Sequence, residues 1–594
     1  MVAGVPHIPE SAPFSPEQRD WLNGFLAGLF SNSVAKPAPI PADELIKVGV
    51  FFATQTGTAE RLAKKLAKEL RTQGYEVTLT SLEKARPADL ARQENALLLV
   101  STYGEGEPPD GARLFREALS AAEAPAMTKL RYSVFCLGDK HYENFCRFGI
   151  ELDQRLSALG GKRLSSRVES DVDVDEPFEQ WAKELGPRLA EKRSGTDVET
   201  VVHVVEKVVH KEGAVKGDLQ AVHTRDNPYV AELRERRALT ANGSTKVTMH
   251  LSFTVDDGSL RYEAGDACGV VAQNDPALVT EILSHLPFDG DAMLELRKLG
   301  SVSVEEALRR YLQSTRLTRK MVQAFAEKTH CKELLALLPA EQGTHLEAFM
   351  HGRGLIDLLE DYPGVVESPE ELAAMLPRLT PRLYSISSSP KVHGGEVHCT
   401  VAVVRYRSHN RERGGVASTM LESVEVGERL PIYIQPNKRF RIPTDGNVPM
   451  IMIGPGTGIA PFRAFLHERR ALGHEGRNWL FFGERTATTD FLYEQELRKM
   501  FDSRHLTRLD TAFSRDQAQK VYVQDRMLQH GAEMWRWLRD GAQVFVCGDA
   551  SRMAKDVEAA LHKVVELHGG LTVEAAREYV AQLHEERRYH RDVY

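Results

Sequence analysis

The segment Val48-Gly-Val-Phe-Phe-Ala-Thr-Gln-Thr-Gly-Thr-Ala59 joins a short apolar run to a loop of hydroxyl and glycine residues. The run predicts a buried strand over residues 48–53, and the sequence beyond the loop predicts a helix over 59–73. Such a loop presents hydroxyl groups and backbone N–H groups at the N-terminus of a helix, which favours an anionic phosphate. The segment therefore predicts the first strand, phosphate loop and helix of an α/β sheet.

Strands and helices continue to alternate after this segment. Strands are predicted over 96–102 and 132–137, and helices over 111–122 and 149–158. This alternation predicts a doubly wound parallel sheet, in which ligands bind outside the carboxyl ends of the strands. Two more loops follow such ends: Ser101-Thr-Tyr-Gly-Glu-Gly-Glu-Pro-Pro-Asp110 and Leu137-Gly-Asp-Lys-His-Tyr-Glu-Asn-Phe-Cys146. Their tyrosines, Tyr103 and Tyr142, could enclose a flat ring.

The pattern changes beyond about residue 227. Strands predicted over 245–255, 396–406 and 429–434 favour an antiparallel barrel, and residues from about 275 to 378 follow a helical period that predicts an insertion. The run Arg382-Leu-Tyr-Ser385 offers a guanidinium for a pyrophosphate, a ring for stacking and a hydroxyl for a ring nitrogen. An isolated Arg-x-Tyr-Ser is also typical of an ordinary surface strand.

A second α/β pattern closes the sequence, with Ile453-Gly-Pro-Gly-Thr-Gly-Ile-Ala-Pro-Phe-Arg463 between a predicted strand and a helix. Its glycines would let the backbone approach a pyrophosphate, although their spacing differs from the fingerprint Gly-x-Gly-x-x-Gly. Downstream, Ser514-Arg515 and Lys520-Val-Tyr-Val-Gln524 combine groups that suit a 2′-phosphate. A solvated charge run explains them individually about as well, and Glu484 beside Arg485 leaves the choice between NAD and NADP open.

Composition narrows the class of protein. The net charge of −8 argues against nucleic acid as the main partner, which requires a concentrated basic face. No apolar run approaches the roughly 20 residues that cross a bilayer, and no secretory signal is recognisable. The six cysteines include no Cys-x-x-Cys pair, so we expect no metal site. These features predict a reducing, cytoplasmic location.

The N-terminal residues 1–46 predict one amphipathic helix and a Pro/Ala-rich linker. The helix begins at Ser15-Pro-Glu-Gln18, a capping box with proline at the first helical position. Its apolar face comprises Trp21, Leu22, Phe25, Leu26, Leu29 and Phe30. This face either packs on its own chain or mediates self-association or partner binding. A mixed-charge segment over 191–225 predicts a hinge linker.

The motifs together resemble the diflavin reductase family. TQTGTAE, STYGEGEPPD and LGDKHYENFC resemble its FMN-binding domain, and YEAGDACGV its barrel. RLYSISSSP, IGPGTGIAPFRAFL, CGDASRMAKDVE and the terminal RRYHRDVY are similar to those of the NADPH–sulfite reductase flavoproteins within that family. The resemblance implies a flavodoxin-like domain over 47–190, an FAD barrel domain over 226–446 and a ferredoxin–NADP-reductase-like domain over 447–594.

The resemblance also implies the binding residues. The FMN set is Thr54, Gln55, Thr56, Gly57, Thr58, Ala59, Ser101, Thr102, Tyr103, Gly104, Leu137, Gly138, Asp139, Tyr142, Asn144 and Cys146. The FAD set is Thr315, Arg382, Leu383, Tyr384, Ser385, Thr400, Val401, Ala402, Tyr406, Gly415, Val416, Ala417, Ser418 and Tyr594. The NADP set is Gly456, Thr457, Arg463, Ser514, Arg515, Lys520, Tyr522, Gln524 and Asp556. Ser385, Cys547, Asp592 and Tyr594 are expected around the reacting rings, with Tyr594 as a gate that NADPH displaces.

The implied activity is electron transfer from NADPH through FAD and FMN to a sirohaem and iron–sulfur sulfite reductase hemoprotein, which reduces sulfite to sulfide. Another soluble haem protein is an alternative acceptor. A non-catalytic scaffold is disfavoured because all four reaction-centre residues are present. Acidic residues near the FMN loops predict a basic docking face on the acceptor: Glu105, Glu107, Asp110, Glu169, Asp171, Asp173 and Asp175.

Overall fold

The computed structural model describes residues 46–55, 57–102, 106–138, 145–170, 174–190, 223–225, 227–255, 258–296, 299–339 and 343–594. The predicted N-terminal helix and most of the predicted hinge lie outside these residues. The same holds for six members of the predicted FMN set, namely Thr56, Tyr103, Gly104, Asp139, Tyr142 and Asn144, and for the acids Glu105, Asp171 and Asp173. No helix in the described part of the chain is long and apolar enough to cross a membrane.

The first domain is a parallel sheet covered by helices, as the alternating pattern predicts. Its strands are β1 (Lys47–Ala53), β2 (Glu76–Ser81), β3 (Asn95–Ser101), β4 (Arg131–Leu137), β5 (Lys162–Arg163) and β6 (Val168–Ser170). Their order is β2-β1-β3-β4-β5, with β6 also paired to β4. The helices are α1 (Thr58–Thr72), α2 (Pro87–Ala91), α3 (Arg113–Ser120), α4 (Arg147–Ala158) and α5 (Asp175–Ala190). This is the flavodoxin-like order, whose ligand crevice lies where the strand order reverses.

An antiparallel barrel follows. Its strands are β7 (Tyr229–Ala238), β8 (Val247–Thr254), β9 (Ala267–Val270), β12 (Arg382–Ser385), β13 (Glu396–Val403) and β16 (Arg429–Gln435). They form a six-stranded sheet in the order β12-β9-β16-β7-β8-β13. A bridge between Ile386 and Cys399 joins the two edges, so the sheet closes on itself. Closure leaves no unpaired edge and fixes the Arg382–Ser385 strand on the barrel wall.

A helical unit is inserted between β9 and β12. It contains α6 (Pro276–Ser284), the hairpin β10 (Met293–Leu296) and β11 (Gly300–Ser303), and α7 (Val304–Glu306), which continues as a π-helix over Ala307–Tyr311. The helices α8 (Arg319–Thr329), α9 (Lys332–Leu337), α10 (Gly343–Met350), α11 (Leu355–Asp361) and α12 (Pro369–Met375) follow. Their apolar faces form a separate core that includes Met321, Phe325 and Leu358. After the barrel resumes come the hairpin β14 (Arg405–Ser408) and β15 (Arg411–Gly414), and α13 (Val416–Ser423).

The last domain is a second parallel sheet, in the order β19-β18-β17-β20-β21. Its strands are β17 (Met450–Ile453), β18 (Asn478–Glu484), β19 (Arg508–Phe513), β20 (Gln543–Gly548) and β21 (Tyr589–Val593). Its helices are α14 (Ile459–Ala471), α15 (Ala487–Asp490), α16 (Glu494–Asp502), α17 (Val523–Gln529), α18 (Gly531–Arg539), α19 (Met553–Gly569) and α20 (Val573–Glu585). The fold class predicted from the sequence is thus confirmed for all three domains.

One local prediction differs from the structure. The strand expected over 396–406 is interrupted at Val404, because the Val404 N–H donates to the Ser418 hydroxyl and its carbonyl accepts from Gly415 rather than from a neighbouring strand. The end of the chain forms the sheet strand β21. Its register aligns Cys547 with Asp592.

Candidate cofactor sites and reaction centre

The loop after β1 forms a phosphate-sized turn. The Gly57 N–H donates to Thr54 Oγ1 at 2.9 Å, and Gly57 has φ of +91° with open space where a Cβ would stand. No side chain caps the following helix, which begins at Thr58. Two hydrogen bonds of 3.2 Å hold the Gln55 side chain: Gln55 Nε2 donates to Asp110 Oδ2, and the Asp110 backbone N–H donates to Gln55 Oε1. The turn therefore presents the N-terminus of α1 to an anion.

The neighbouring strand ends converge on the same edge. Ser101 Oγ donates to the Ala53 carbonyl at 3.2 Å, and the Thr102 N–H donates to the Leu137 carbonyl at 2.8 Å. The Thr102 hydroxyl is buried and has no hydrogen-bond partner among the described residues, which fits a ligand atom at this point. A Cβ on Gly138 would stand 2.8 Å from the backbone nitrogen of Cys146, so the third loop packs tightly here. Ala59 is fully buried in the core behind the turn.

The barrel wall carries the residues of β12 that are predicted to bind FAD. On β12, Arg382 and Leu383 are exposed while Tyr384 and Ser385 are partly buried. Burial raises the pKa of Tyr384 well above its ordinary value, so this phenol stays neutral. The strand thus presents a cation, a neutral ring and a hydroxyl in sequence, which suits a flavin dinucleotide.

The remaining FAD candidates fall into two groups. Gly415 is the N-cap residue of helix α13, which begins with Val416, Ala417 and Ser418 and has no side-chain cap. In contrast, Thr400 Oγ1 is bonded to the Tyr493 hydroxyl at 2.7 Å and Val401 is fully buried in the barrel core, so neither side chain faces outward. Ala402 and Thr315 are partly buried, and Tyr406 is exposed on the β14 hairpin.

Ser385, Asp592 and Cys547 meet where the barrel touches the last sheet. Ser385 Oγ donates to Asp592 Oδ2 at 2.8 Å, and Cys547 Sγ lies 3.9 Å from the same oxygen. Asn437 Nδ2 donates to the other carboxylate oxygen at 3.3 Å. Burial raises the pKa of Asp592 to about 6, although the Ser385 hydrogen bond opposes this shift. The carboxyl group can therefore hold or release a proton close to neutral pH.

Asn437 escaped the sequence reasoning. It lies in the loop after β16, and no local pattern distinguishes it from an ordinary turn residue. The packing of the barrel against the last domain brings it to Asp592, 155 residues away.

Tyr594 lies over the glycine-rich loop of the last domain. Its hydroxyl is 2.7 Å from Thr457 Oγ1, and its backbone N–H donates to the Gly548 carbonyl at 3.0 Å. The side chain is still 45% exposed. It is thus anchored through its hydroxyl and backbone while one face of the ring stays accessible, as a displaceable cover requires.

The glycine-rich loop itself has no room for side chains. A Cβ on Gly458 would stand 2.1 Å from the Cys547 carbonyl oxygen, and one on Gly454 would stand 2.5 Å from the Gly458 carbonyl oxygen. Gly456 has φ of +59°. A 3₁₀ turn over Gly456–Gly458 leads into α14, which has no side-chain cap. This cradle places backbone and a helix N-terminus against the reaction centre, and it fits a pyrophosphate.

Most 2′-phosphate candidates lie beyond β19. The Ser514 N–H donates to the Glu484 carbonyl at 2.9 Å, which ties the end of β19 to the end of β18. Arg515, Lys520 and Tyr522 are exposed. A separate contact joins Gln524 Nε2 to Asp556 at 3.3 Å.

Glu484, the acid that left the choice between NAD and NADP open, contacts the barrel domain. Glu484 forms a close ion pair with Lys246, and only 4% of the Glu484 side chain is exposed. The neighbouring Arg485 donates to Thr245 Oγ1 at 2.7 Å. Glu484 is therefore neutralised by Lys246, a residue that sequence reasoning missed because it lies 238 positions away.

Arg463 is not placed with the other NADP candidates. It is buried between the barrel and the last domain, where it donates to the Ser387 carbonyl at 2.7 Å and pairs with Glu496 at 2.9 Å. Its guanidinium also lies 5.0 Å from the ring centre of Tyr493. These contacts make it a packing residue of that junction.

A histidine cluster lies at the same junction. Ring centres of His393 and His398 are 4.6 Å apart, and those of His250 and His398 are 4.8 Å apart. His467 lies 4.8 Å from His393. Burial, followed by the neighbouring histidine and arginine side chains, lowers the pKa of His250 to about 2 and that of His393 to about 4.

Comparison with known proteins agrees with this architecture. Family models match residues 50–181 as Flavodoxin, 222–420 as FAD binding domain and 452–559 as Oxidoreductase NAD-binding domain. The three modules and their cradles fit FMN, FAD and NADPH as cofactors, and the chain is an NADPH-dependent flavoprotein oxidoreductase.

Curated relatives match over nearly the full length. A Bacillus subtilis (strain 168) protein is 40% identical over 589 residues, covering 97% of this chain and 95% of the relative. A Mannheimia succiniciproducens protein is 39% identical, covering 98% and 97%, and a Shewanella sp. (strain ANA-3) protein is 40% identical, covering 98% and 96%. All three are named sulfite reductase [NADPH] flavoprotein alpha-component. The chain belongs to the family of sulfite reductase [NADPH] flavoprotein alpha-components.

Proposed function

We propose that this chain passes electrons from NADPH through FAD and FMN to a sirohaem sulfite reductase hemoprotein, which reduces sulfite to sulfide. The observation that carries the proposal is the junction of Ser385, Cys547 and Asp592 beneath Tyr594, with a flavin-type strand on one side and a pyrophosphate cradle on the other. The name of the full-length relatives supports the choice of acceptor.

Each cofactor has a set of residues that would hold it. We assign FMN to the loops after β1, β3 and β4, FAD to the β12 strand and the start of α13, and NADPH to the glycine-rich loop with Ser514, Arg515 and Lys520. When bound, NADPH supplies a two-electron reducing equivalent and the flavins divide it into single electrons.

The chain's own residues prepare the reaction centre. Asp592 Oδ2 accepts the Ser385 hydrogen bond and so fixes the hydroxyl on the barrel wall. Asn437 holds the second carboxylate oxygen, which stops the Asp592 side chain from rotating. Because burial raises the pKa of Asp592 to about 6, this carboxyl can hold or release a proton close to neutral pH at Oδ2, the oxygen that accepts the Ser385 hydrogen bond. Tyr594 covers the cradle and excludes water until the nucleotide displaces it.

The deciding experiment measures NADPH oxidation by the flavin-loaded protein mixed with the hemoprotein subunit from the same source, with and without sulfite. Strong sulfite-dependent oxidation supports the proposal. Dye reduction without sulfite dependence would retain the diflavin chemistry and indicate a different soluble haem-protein acceptor.

We also propose that the acceptor docks on the acidic side of the flavodoxin-like domain. Among the described acids, Glu169 and Asp175 flank the FMN loops, each paired with an arginine of the same domain. Substituting Glu169→Gln and Asp175→Asn should slow turnover with the hemoprotein but not with a small dye. Equal loss in both assays would reject this docking face.

The cellular location and the self-association of the chain also remain proposals. None of the six cysteines, all of which lie in the described part of the chain, forms a disulfide, which supports a reducing, cytoplasmic location. Self-association through the helix predicted over residues 15–30 can be tested by comparing the molecular mass in solution before and after its removal.

A further inference from the structure

Asn437 connects the barrel domain to the edge strand of the last sheet. Its side-chain nitrogen Nδ2 donates to Asp592 Oδ1 at 3.3 Å, and its side-chain oxygen accepts the Arg439 backbone N–H, also at 3.3 Å. A backbone N–H can only donate, so the atom that faces it must be the amide oxygen. The orientation of the amide is therefore fixed, and a donor faces Asp592.

The segment that carries Asn437 is held in place by the barrel and by the last domain. The Asn437 backbone N–H donates to Asp266 Oδ1 at 2.9 Å, and Asp266 is only 4% exposed. Phe440, three residues later, lies with Ala264 of the barrel in the hydrophobic core of the last domain. The barrel and the last domain thus share a core, which keeps Asn437 at a constant distance from Asp592.

The same segment holds β21 at a second point. His590 Nδ1 lies 3.0 Å from the Arg439 carbonyl oxygen, and the His590 ring stacks on Phe545 with the ring centres 4.5 Å apart. Since His590 and Asp592 are two residues apart on one strand, their side chains project from the same face of the sheet. The turn from Asn437 to Arg439 therefore fixes both the strand and the carboxylate that it carries.

The two oxygens of the Asp592 carboxylate meet partners of different kinds. Oδ1 faces the amide nitrogen of Asn437, which can donate a hydrogen bond but cannot accept one. Oδ2 accepts from the Ser385 hydroxyl at 2.8 Å and lies 3.9 Å from Cys547 Sγ. A hydroxyl group can rotate and accept, so Oδ2 can take a proton and keep its hydrogen bond. A proton on Oδ1 would instead weaken the bond from Asn437, because a protonated oxygen is a poorer acceptor.

We propose that Asn437 is a positioning residue that directs the proton of Asp592 to Oδ2, the oxygen that faces Ser385 and Cys547. The proton comes from solvent and returns to it, so no further reactant is needed. Held on Oδ2, it lies at the reaction centre instead of on the opposite side of the carboxyl group. The inference rests on the proposed function and deepens it, since it specifies which oxygen stores the proton.

Three titratable side chains near Asp592 are neutral or unaffected by Asn437. Burial raises the pKa of Cys547 and of Tyr594 well above their ordinary values, so both stay protonated. Burial lowers the pKa of His590. This histidine contacts the backbone of Arg439, which a change at position 437 retains.

The charged neighbours also remain when Asn437 is changed. Burial, the largest cause, and the charge of Asp110 raise the pKa of Asp592 to about 6, and the hydrogen bond from Asn437 opposes them. Arg591, the residue before Asp592, is paired with Glu558 at 3.3 Å. A difference between wild type and a variant of Asn437 therefore reports on the hydrogen bond to Oδ1.

The test follows the Asp592 carboxyl of the full-length, flavin-loaded protein by infrared difference spectroscopy between about pH 5 and about pH 8. The Asp592→Asn variant identifies the band of this carboxyl. Asn437→Ala should raise the carbonyl stretching frequency of the protonated form, because Oδ1 loses its donor. The proton dissociation constant should fall about three- to tenfold, as expected for the loss of one hydrogen bond to the ionised form.

Asn437→Asp separates the donor from the packing. This variant keeps the shape of the side chain and the acceptor for the Arg439 N–H, but it places a second carboxyl group against Oδ1. The two carboxyl groups should share one proton there, so the titration midpoint should lie at higher pH than in Asn437→Ala. With the proton drawn away from Ser385, kcat for NADPH-dependent dye reduction should fall about tenfold or more, with little change in KM.

Asn447→Asp is the matched control. Asn447 Nδ2 donates to Asp445 Oδ1 at 3.1 Å at an exposed position, and this variant should titrate and react as wild type. An unmoved carbonyl band in Asn437→Ala would place the proton on Oδ1 and overturn the proposal. So would a wild-type titration midpoint in Asn437→Asp, the variant that decides the question if Asn437→Ala fails to bind flavin. The infrared titration requires no turnover, so a wild-type protein that fails to oxidise NADPH would contradict the proposed function without changing this test.

Discussion

Ser385 and Asp592 are 207 residues apart in the chain, yet Ser385 Oγ donates a 2.8 Å hydrogen bond to Asp592 Oδ2. One residue ends a barrel strand and the other lies on the edge strand of the last sheet. The reaction centre is therefore complete only when the two domains are packed together. Ser385, Cys547 and Asp592 depend on that packing for their geometry.

Replacing Ser385 with alanine should shift the pH dependence of the reaction. Burial raises the pKa of Asp592 to about 6, and the Ser385 hydrogen bond acts in the opposite direction. Its loss should move the corresponding limb of the pH–rate profile to higher pH and slow NADPH-dependent dye reduction by about tenfold or more. Ser423→Ala, a serine on the exposed side of α13, is the matched control. A slower enzyme with an unmoved limb would assign Ser385 a purely packing role.

Replacing Tyr594 with phenylalanine should loosen the cover of the cradle. The change removes the 2.7 Å hydrogen bond to Thr457 while retaining the ring. Because a typical hydrogen bond contributes about 1 kcal/mol net, NADP⁺ should bind up to about fivefold more tightly if it competes with the cover. Titration calorimetry measures this affinity, with Tyr362→Phe in the helical insertion as control. Unchanged or weaker binding would argue against competition.

A methyl group on Gly458 should damage the pyrophosphate cradle. The added Cβ would stand 2.1 Å from the Cys547 carbonyl oxygen, so backbone must shift. Overpacking of this kind costs about 1–3 kcal/mol, and NADP⁺ affinity should fall about tenfold as the loop moves. Gly186→Ala is the control, because its Cβ would meet only Gln73 Oε1 at 3.8 Å. Wild-type affinity in Gly458→Ala would show that the loop tolerates the shift.

The histidine cluster should make the protein acid-sensitive below about pH 6.5. His250, His393 and His398 are held neutral, with folded-state pKa values below the ordinary 6.5. As pH falls, the unfolded chain takes up protons before the folded chain does, so the free energy of unfolding decreases between about pH 6.5 and 4.

Calorimetric melting between pH 7.5 and 5 tests this expectation. His393→Gln should flatten the decline in melting temperature, because one proton-binding group is removed from the unfolded state. The exposed His351→Gln should leave it unchanged. The neighbours Glu396, Glu496 and Arg463 stay in place in both variants. An identical decline in all three proteins would exclude the cluster as the source.

Local sequence patterns predicted the parallel sheets, the barrel and the loops at their strand ends, because periodicity and glycine spacing act over a few residues. They could not predict pairs created by tertiary packing. Lys246 reaches Glu484, Asn437 reaches Asp592, and Arg113 reaches Glu558 across 238, 155 and 445 positions. Arg463 shows how a local motif can mislead. Its place in a phosphate-loop motif suggested nucleotide binding, but its side chain lies between the barrel and the last domain and contacts Ser387 and Glu496 there.

The shared core of the barrel and the last domain has a consequence for protein engineering. Phe440, before the predicted boundary at residue 447, packs against Phe462, Phe465 and Phe545 beyond it. Severing the chain there would expose aromatic surface on both fragments, and neither would be expected to fold cleanly alone. The natural unit for domain exchange is therefore the barrel domain together with the last domain, joined to a new partner at the segment that precedes β7. Swaps of the barrel or the last sheet by itself would need a redesigned core.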